Sequence, residues 1–444
     1  MTKRLIITSV VCLLGALQMA FTQDGFQLEN AGFEAWDSDV KPANWNTYGT
    51  VQCSGLYCSA QNDNQCRKST DVRGGTGNYC VVAVAAKVFG IVANGIVTSG
   101  VINAGAMSAT DEKNHNESNI TDDSKSMAFI GRPDSAVAWI KAVPKKTTQN
   151  GRFYVMLHDN CYIQDPGTSW DKVIAVAGVN PPSSNDWVRY SCPFYYAGET
   201  QQGIENQDGE RTPKLELTGN ARPSYVLVTF STNWRAGEGT EGDEIYGDDI
   251  EMIYNSKLES ITIDGQKING FSKDNYSYVV EGPYNKETFA CKSDGRYATV
   301  EQSYDAVSKV LTITVKGDDY SVNPANLHTY TVAFGCKAKL NSFEIDGVAL
   351  ADFSADKLEY TIDRVYNNVK SKITYSAPQC ASTSEVFDEA TNTLKVTVNA
   401  DDEKVYSFKF HEPYGSQLKS LAIAGNVVAN FSPDTYEYTV KNTY

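Results

Sequence analysis

From Leu258 onward the chain repeats itself, and an internal repeat constrains a fold more tightly than any other feature of a single sequence. Leu258, Leu340 and Leu418 each open a unit. Ile263, Ile345 and Ile423 follow five residues later, and Gly265, Gly347 and Gly425 seven residues later. Phe271-Ser272, Phe353-Ser354 and Phe431-Ser432 stand at thirteen and fourteen, Tyr278, Tyr360 and Tyr438 at twenty, and Tyr284, Tyr366 and Tyr444 at twenty-six. Alternation, a glycine turn and renewed alternation describe a hairpin. Each full unit closes with two further alternating runs, Val310–Val315 with Tyr330–Phe334 and Leu394–Val398 with Tyr406–Phe410. The expected product is a small β-sandwich at 256–337, a second at 338–413, and at 414–444 the opening strands of a third. Half a sandwich leaves an apolar face uncovered, so truncation at Tyr444 is expected.

Upstream, helical periodicity is never sustained over a dozen residues. The expected fold class is all-β: an N-terminal jelly-roll β-sandwich over 24–255, followed by the tandem small β-sandwich repeats. Strands are expected at Tyr79–Ala86, Ser126–Gly131, Ala136–Val143, Phe153–His158, Trp187–Tyr195 and Ser224–Ser231, and the 26 tyrosines suit short strands. Thr110–Ser126, with sequons at Asn116 and Asn119, reads as an exposed loop, as does Gly198–Pro213. Tyr246–Tyr254 reads as an acidic turn entering a strand with Ile250, Met252 and Tyr254 on one face. Asn30–Trp36 is expected to meet it, because first and last strands of a sandwich often lie side by side.

Lys3 and Arg4, the apolar run Leu5–Ala16 and the small residues before Gln23 read as a secretory signal over 1–22, cleaved near Thr22. Val10-Val11 before Cys12 does not suit a lipid anchor. The expected location is exported: periplasmic, secreted or at the cell surface of a Gram-negative-type cell. A formal charge of −15 argues against nucleic acid or an anionic membrane as partner. Of ten cysteines, Cys12 leaves with the signal. The spacings among Cys53, Cys58, Cys66 and Cys80 do not match zinc ribbons, so disulfides with some free thiols are expected.

Several landmarks together carry a resemblance: Gly32-Phe-Glu-Ala-Trp36 with Pro42 and Trp45, Gly131-Arg-Pro133 leading to Trp139-Ile-Lys141, Trp187-Val-Arg-Tyr190 with Pro193-Phe-Tyr195, and Phe230 followed by Gly242 and Asp248-Asp-Ile250. In this order they resemble the putative carbohydrate metabolism domain family of exported proteins in glycan-degrading Gram-negative anaerobes. The resemblance spans about 24–255. It implies a jelly roll shaped like carbohydrate-binding modules and a role in glycan capture or processing. The repeats resemble cadherin-like or bacterial immunoglobulin-like modules, which serve as spacers or adhesive stalks. The segment Cys53–Cys80 departs from the plainest pattern.

Three constellations bear on chemistry. Glu34, Asp248 and Asp249 suit a structural calcium between the first and last strands, since calcium takes hard oxygen ligands in irregular geometry; capping of a turn is the bland alternative. Sugar rings stack on aromatic faces while their hydroxyls seek Asn, Asp and Arg. Trp234, flanked by Asn233 and Arg235, and Trp170 fall in turn-rich segments and are the ligand-binding candidates against rim packing; Trp36, Trp45, Trp139 and Trp187 are assigned to the core. No catalytic residue is assigned: among 54 acidic residues some carboxylate pair always qualifies, and His158-Asp159 reads as structural. The leading expectation is a non-catalytic polysaccharide- or oligosaccharide-binding protein, working beside other cell-surface glycan-utilisation proteins. A glycan-active hydrolase on the jelly roll and a surface adhesin are the alternatives.

Overall fold

A computed structural model describes residues 25–146, 149–167, 170–196, 222–412, 418–432, 435 and 437–439. The expected signal over 1–22, the loop Gly198–Pro213 and Tyr444 lie outside the described residues. The protein is all-β, and no described helix is long and apolar enough to cross a membrane. It divides into two compact units. The first runs to Ser260 and takes in Cys291–Glu301 and Thr314–Thr329; the second holds Ile261–Ala290, Gln302–Ile313 and the chain from Tyr330.

The first unit is a sandwich. One sheet runs in the order Val188–Pro193, Ser135–Val143, Glu244–Ile253, Cys80–Val84, Cys66–Ser69. The other runs Tyr195–Tyr196, Val173–Val179, Arg152–His158, Tyr225–Ser231, Ile96–Thr98, Asn46–Thr47, with Met127–Ala128 beside Tyr225–Ser231. Strand periodicity sends Ala136, Ala138 and Ile140 of the first sheet, and Phe153, Val155, Leu157, Val226, Val228 and Phe230 of the second, into one core around Trp45 and Phe33. Alternate residues of the second sheet are buried as well: Tyr154, Met156, Val176 and Leu227 pack under a third, four-stranded layer. That layer runs Ile163–Asp165, His115–Ser118, Val101–Ala104, Gln52–Cys53. Burial on both faces explains why Val173–Val179 reads as a continuous apolar run rather than an alternating one.

The ends of the sandwich meet as expected. Met252 donates its N–H to Gln27 (2.8 Å), Gln27 returns a bond to the Met252 carbonyl (2.7 Å), and Ile250 N–H donates to the Ala31 carbonyl (3.0 Å). Ile250, Met252 and Tyr254 are buried on one face. Two readings need correction. The acidic "turn" is a bulge inside one ten-residue strand: register shifts between Val137 and Trp139, and Asp249 adopts φ +42°. Thr110–Ser126 is not all exposed loop, because His115–Ser118 is a strand within the third layer and Asn116 is buried there. Its polar sequence carries no apolar alternation, so tertiary pairing, not pattern, makes it a strand.

In the second unit, the complete repeat pairs Ser342–Ile345 with Ile373–Ser376 in one sheet. The opposing sheet runs Glu359–Val365, Glu403–His411, Thr393–Asn399, Ser382–Asp388, its first pair parallel. Leu340, Phe343, Tyr360, Ile362, Val396, Tyr406 and Phe408 fill the space between. Ser277–Glu281 pairs in parallel with Leu327–Gly335 at the equivalent place of the preceding repeat. The repeated Phe-Ser and Tyr positions form one device. Tyr360 Oη donates to the Ser354 carbonyl (2.7 Å) and accepts from Ser354 N–H (2.9 Å), while Phe353 stacks on Tyr360 at 5.7 Å. Tyr278 with Ser272 and Phe271, and Tyr438 with Ser432 and Phe431, do the same.

Disulfides join Cys53 to Cys58 and Cys336 to Cys380. Cys66, Cys80, Cys161 and Cys192 are thiols, and burial pushes Cys66, Cys80 and Cys192 up to about 12. Such thiols are structural rather than reactive.

Candidate functional site

The strand Arg152–His158 alternates, so Phe153, Val155 and Leu157 enter the main core while Arg152, Tyr154 and Met156 face the third layer. Thr229 and Ser231 of the neighbouring strand point the same way. Asn116 ties the third layer down by donating Nδ2 to Thr229 Oγ1 (3.3 Å). Beside this contact a cavity of about 120 Å³ opens. Arg152, Asp165, Asn116, Thr229 and Ser231 line it, with His115 and Asn94. Aliphatic Val88, Ile91, Ile96 and Ile102 stand against them, and Tyr48, Tyr57, Phe89 and Met107 also line it. Phe89 sits at the tip of the hairpin Ala86–Val88/Ile91–Ala93, where φ +52° at Phe89 and +82° at Gly90 make a two-residue turn. Phe89 is 49% exposed and Met107 42% exposed, so the lining reaches solvent.

Charge in the cleft is internally balanced. Arg152 grips Asp165 with both arms, Nη1 to Oδ2 at 2.8 Å and Nη2 to Oδ1 at 3.1 Å, and its guanidinium lies 4.5 Å above the Tyr154 ring. Both partners are buried, and the bidentate fork gives each of them two charge-assisted hydrogen bonds there. Next to it, Glu117 accepts from Gln52 Nε2 (2.7 Å), Tyr162 Oη (2.9 Å) and His115 Nε2 (3.0 Å). His115 bonding, against the cost of burial and with help from Gln52 and Tyr162, holds the Glu117 carboxyl below its ordinary range. Burial disfavours the charged imidazole of His115, but Glu117 and the Glu112 carbonyl outweigh it and raise its pKa. Both ring nitrogens stand on acceptors, an arrangement the imidazolium satisfies.

The residues singled out in the sequence fall elsewhere. Asn233 is buried, its carbonyl accepting from Asn94 Nδ2 (2.9 Å) and its Oδ1 from Arg235 N–H (3.0 Å). Arg235 lies 4.4 Å over the Trp234 ring and covers one of its faces. The three side chains flank the cleft without lining it; the following Ala236 and Gly237 do line it. Trp170 opens a short 3-10 turn, Trp170–Lys172, and its side chain lies outside the described residues. Of the four tryptophans assigned to the core only Trp45 is fully buried. Trp36, Trp139 and Trp187 are half-buried under cations: Lys68 at 5.8 Å, Arg73 at 4.5 Å and Lys141 at 5.7 Å respectively. The charged head itself stands over each ring, and Trp36 also packs against the main core.

Glu34, Asp248 and Asp249 do come together. Asp249 Oδ2 takes Arg73 Nε at 2.6 Å, and Glu34 accepts the backbone N–H groups of Asn78 and Tyr79 (2.9 and 3.1 Å). Asp248 is 1% exposed; its Oδ1 accepts from Asp249 N–H, and its Oδ2 has no hydrogen-bond partner. Burial, then the charges of Asp249 and Glu34, push its carboxyl up to about 7. With an arginine on one carboxylate and amides on another, this arrangement does not fit calcium, and among the described residues no group of three or more His, Cys, Asp or Glu side chains could hold a metal ion.

Known proteins add little. No family model matches this chain. No curated protein matches it either. Among solved structures it is similar to a GlcNAcα1-4Gal-releasing endo-β-galactosidase from Clostridium perfringens, at 8% identity over 88% of this chain and 98% of that one, with a TM-score of 0.23. A score that low carries no argument about this chain.

The sequence reading missed His115, Asn116, Glu117, Arg152 and Asp165. One signal was present: two of the four histidines, His115 and His158, flank the sheet that forms the site, and His115-Asn-Glu-Ser118 is a wholly polar stretch. What joins them is pairing between strands distant in sequence, such as Asn116 with Asp165, which no local pattern reports.

Proposed function

We propose that this is an exported, non-catalytic glycan-binding protein and that the cleft over the seven-stranded sheet is its site. The supporting observation is the lining itself. A donor- and acceptor-rich side (Arg152–Asp165, Asn116, Thr229, Ser231) faces aromatic and aliphatic walls, the combination that receives hydroxyls on one side and C–H faces on the other. The repeats would display the domain. The resemblance to the carbohydrate metabolism family points the same way, as does the acidic, membrane-averse charge.

Hydrolysis is the second reading, and the carboxylates weigh against it. A glycosidase keeps one carboxyl protonated by raising its pKa. Here Glu117 is lowered and saturated with donors, and Asp165 is spent on Arg152. The one strongly raised carboxyl, Asp248, is buried in the other sheet.

The test is a glycan panel scored for both binding and product release. Phe89→Ala and Tyr57→Ala should each weaken binding about thirtyfold, the effect of removing an aromatic anchor worth about 2 kcal/mol, with the fold intact. Trp234→Ala should change affinity far less. Product release from bound glycan would favour the hydrolase; binding that depends on Trp234 and ignores Phe89 and Tyr57 would move the site out of the cleft.

A further inference from the structure

The cleft's lining also bears on which glycan it takes, an inference that rests on the glycan reading above. Three observations converge. The first is charge. Apart from the tyrosines Tyr48 and Tyr57, the ionisable side chains that line the cleft among the described residues are His115, Arg152 and Asp165. Arg152 is committed through both arms to Asp165, and His115 to Glu117. No lining cation is left to receive a carboxylate or sulfate, and the anions Asp165 and Glu117 would repel one.

The second is the wall. Beside the aromatic Tyr48, Tyr57 and Phe89, the wall carries an aliphatic patch of Val88, Ile91, Ile96, Ile102 and Met107. A hydroxyl pressed against them would lose its water and gain no partner. A methyl group loses nothing and gains contact.

The third is an imbalance of hydrogen-bonding groups. Asn94 and Asn116 line the cleft and are 7% and 4% exposed. Asn94 spends its amide on the carbonyls of Asn233 and Arg235 and its Oδ1 lies against Gly239, outside the lining; Asn116 donates to Thr229, and its Oδ1 has no donor. Buried acceptors without donors are rare in folded proteins. One beside the cavity calls for a ligand that donates, as sugar hydroxyls and an amide N–H do.

We infer that the cleft selects a neutral sugar carrying a methyl group, in an acetamido or a 6-deoxy substituent. The methyl lies against the aliphatic wall and a donor of the sugar reaches Asn116. Discrimination at one methyl-sized position in an apolar pocket is roughly 10–200-fold.

Calorimetric titration of the full chain with matched pairs tests this. Triacetylchitotriose against cellotriose isolates the acetamido group, L-fucose against L-galactose isolates the 6-deoxy methyl, and a triglucuronate probes charge. The expected result is at least tenfold preference for the methyl-bearing member of one pair, with no affinity for the uronate. Met107→Gln should shrink that preference while leaving the fold intact. Equal affinities within both pairs, or a best-bound uronate, would overturn the inference and leave glycan binding standing. Failure of every probe together with a silent glycan panel would overturn both.

Discussion

Asp248 shows how one residue can tie stability to pH. Its carboxyl is raised from 3.8 to about 7, first by burial and then by Asp249 and Glu34. A raised acid binds its proton more tightly in the folded state than in the unfolded one. Its stabilising contribution is therefore whole below about pH 4, falls as pH rises toward 7 and is gone above it. Asp248→Asn keeps the shape, removes the titration and supplies an N–H where an anion would otherwise be buried. Urea melts across pH 4–8 should show the variant gaining on the wild type throughout this window and overtaking it near neutrality. Parallel pH profiles would refute the assignment. His158 adds an opposite trend at lower pH: burial lowers it to about 4, so stability falls as pH drops below its ordinary value of 6.5. The two must be separated by comparing variants, not by the wild-type profile alone.

Between elements, the bracket that joins the first and last strands of the sandwich is held by an arginine. Arg73, from the segment between Cys66–Ser69 and Cys80–Val84, pairs with Asp249 at the strand bulge and lies over Trp139 of the adjacent strand. It supplies the positive charge that a calcium ion was expected to supply. Chelation should accordingly leave the melting temperature unchanged, whereas Arg73→Ala should cost about 1.5–3 kcal/mol, the usual worth of a hydrogen bond to a charged group. The measurement is thermal unfolding with EDTA and with added calcium. An EDTA-sensitive melt in the wild type would restore the metal.

Across the molecule, the first unit does not stop where the sequence pattern changes. Asp318, of the segment Thr314–Thr329 that belongs to this unit, accepts Arg132 N–H (2.9 Å) and Arg132 Nη2 (2.7 Å), and takes both arms of Arg222 (2.9 and 2.7 Å). Its side chain is 4% exposed. Asp134 similarly receives the N–H of Arg296 (2.8 Å), and Tyr297 packs edge-on to Tyr196 at 4.9 Å. Asp318→Ala would leave two guanidinium groups facing no carboxylate. The expected loss is about 3 kcal/mol, the lower end for breaking a buried pair because Arg222 is partly wet. Denaturant unfolding of a chain ending at Lys337 measures it. An unchanged midpoint would mean these loops merely rest on the sandwich.

The sequence by itself determined what depends on neighbours along the chain. Period-two alternation placed most strands, the repeat placed Tyr278, Tyr360 and Tyr438 at equivalent points of their units, and the match between Asn30–Trp36 and Tyr246–Tyr254 anticipated that the ends of the sandwich meet. Each of these rests on side-chain direction over a few residues, which local geometry dictates. The cleft does not. His115–Ser118 has no apolar face, and only pairing with Val101–Ala104 and Ile163–Asp165 makes it a strand. Arg152 and Asp165 look like ordinary surface charges until the third layer buries them together. Trp139 and Trp187 were misplaced for the same reason: whether a cation covers an indole depends on which strand lies beside it. Tertiary structure decided these points because burial is set by the layers above and below a strand, and those layers come from elsewhere in the chain.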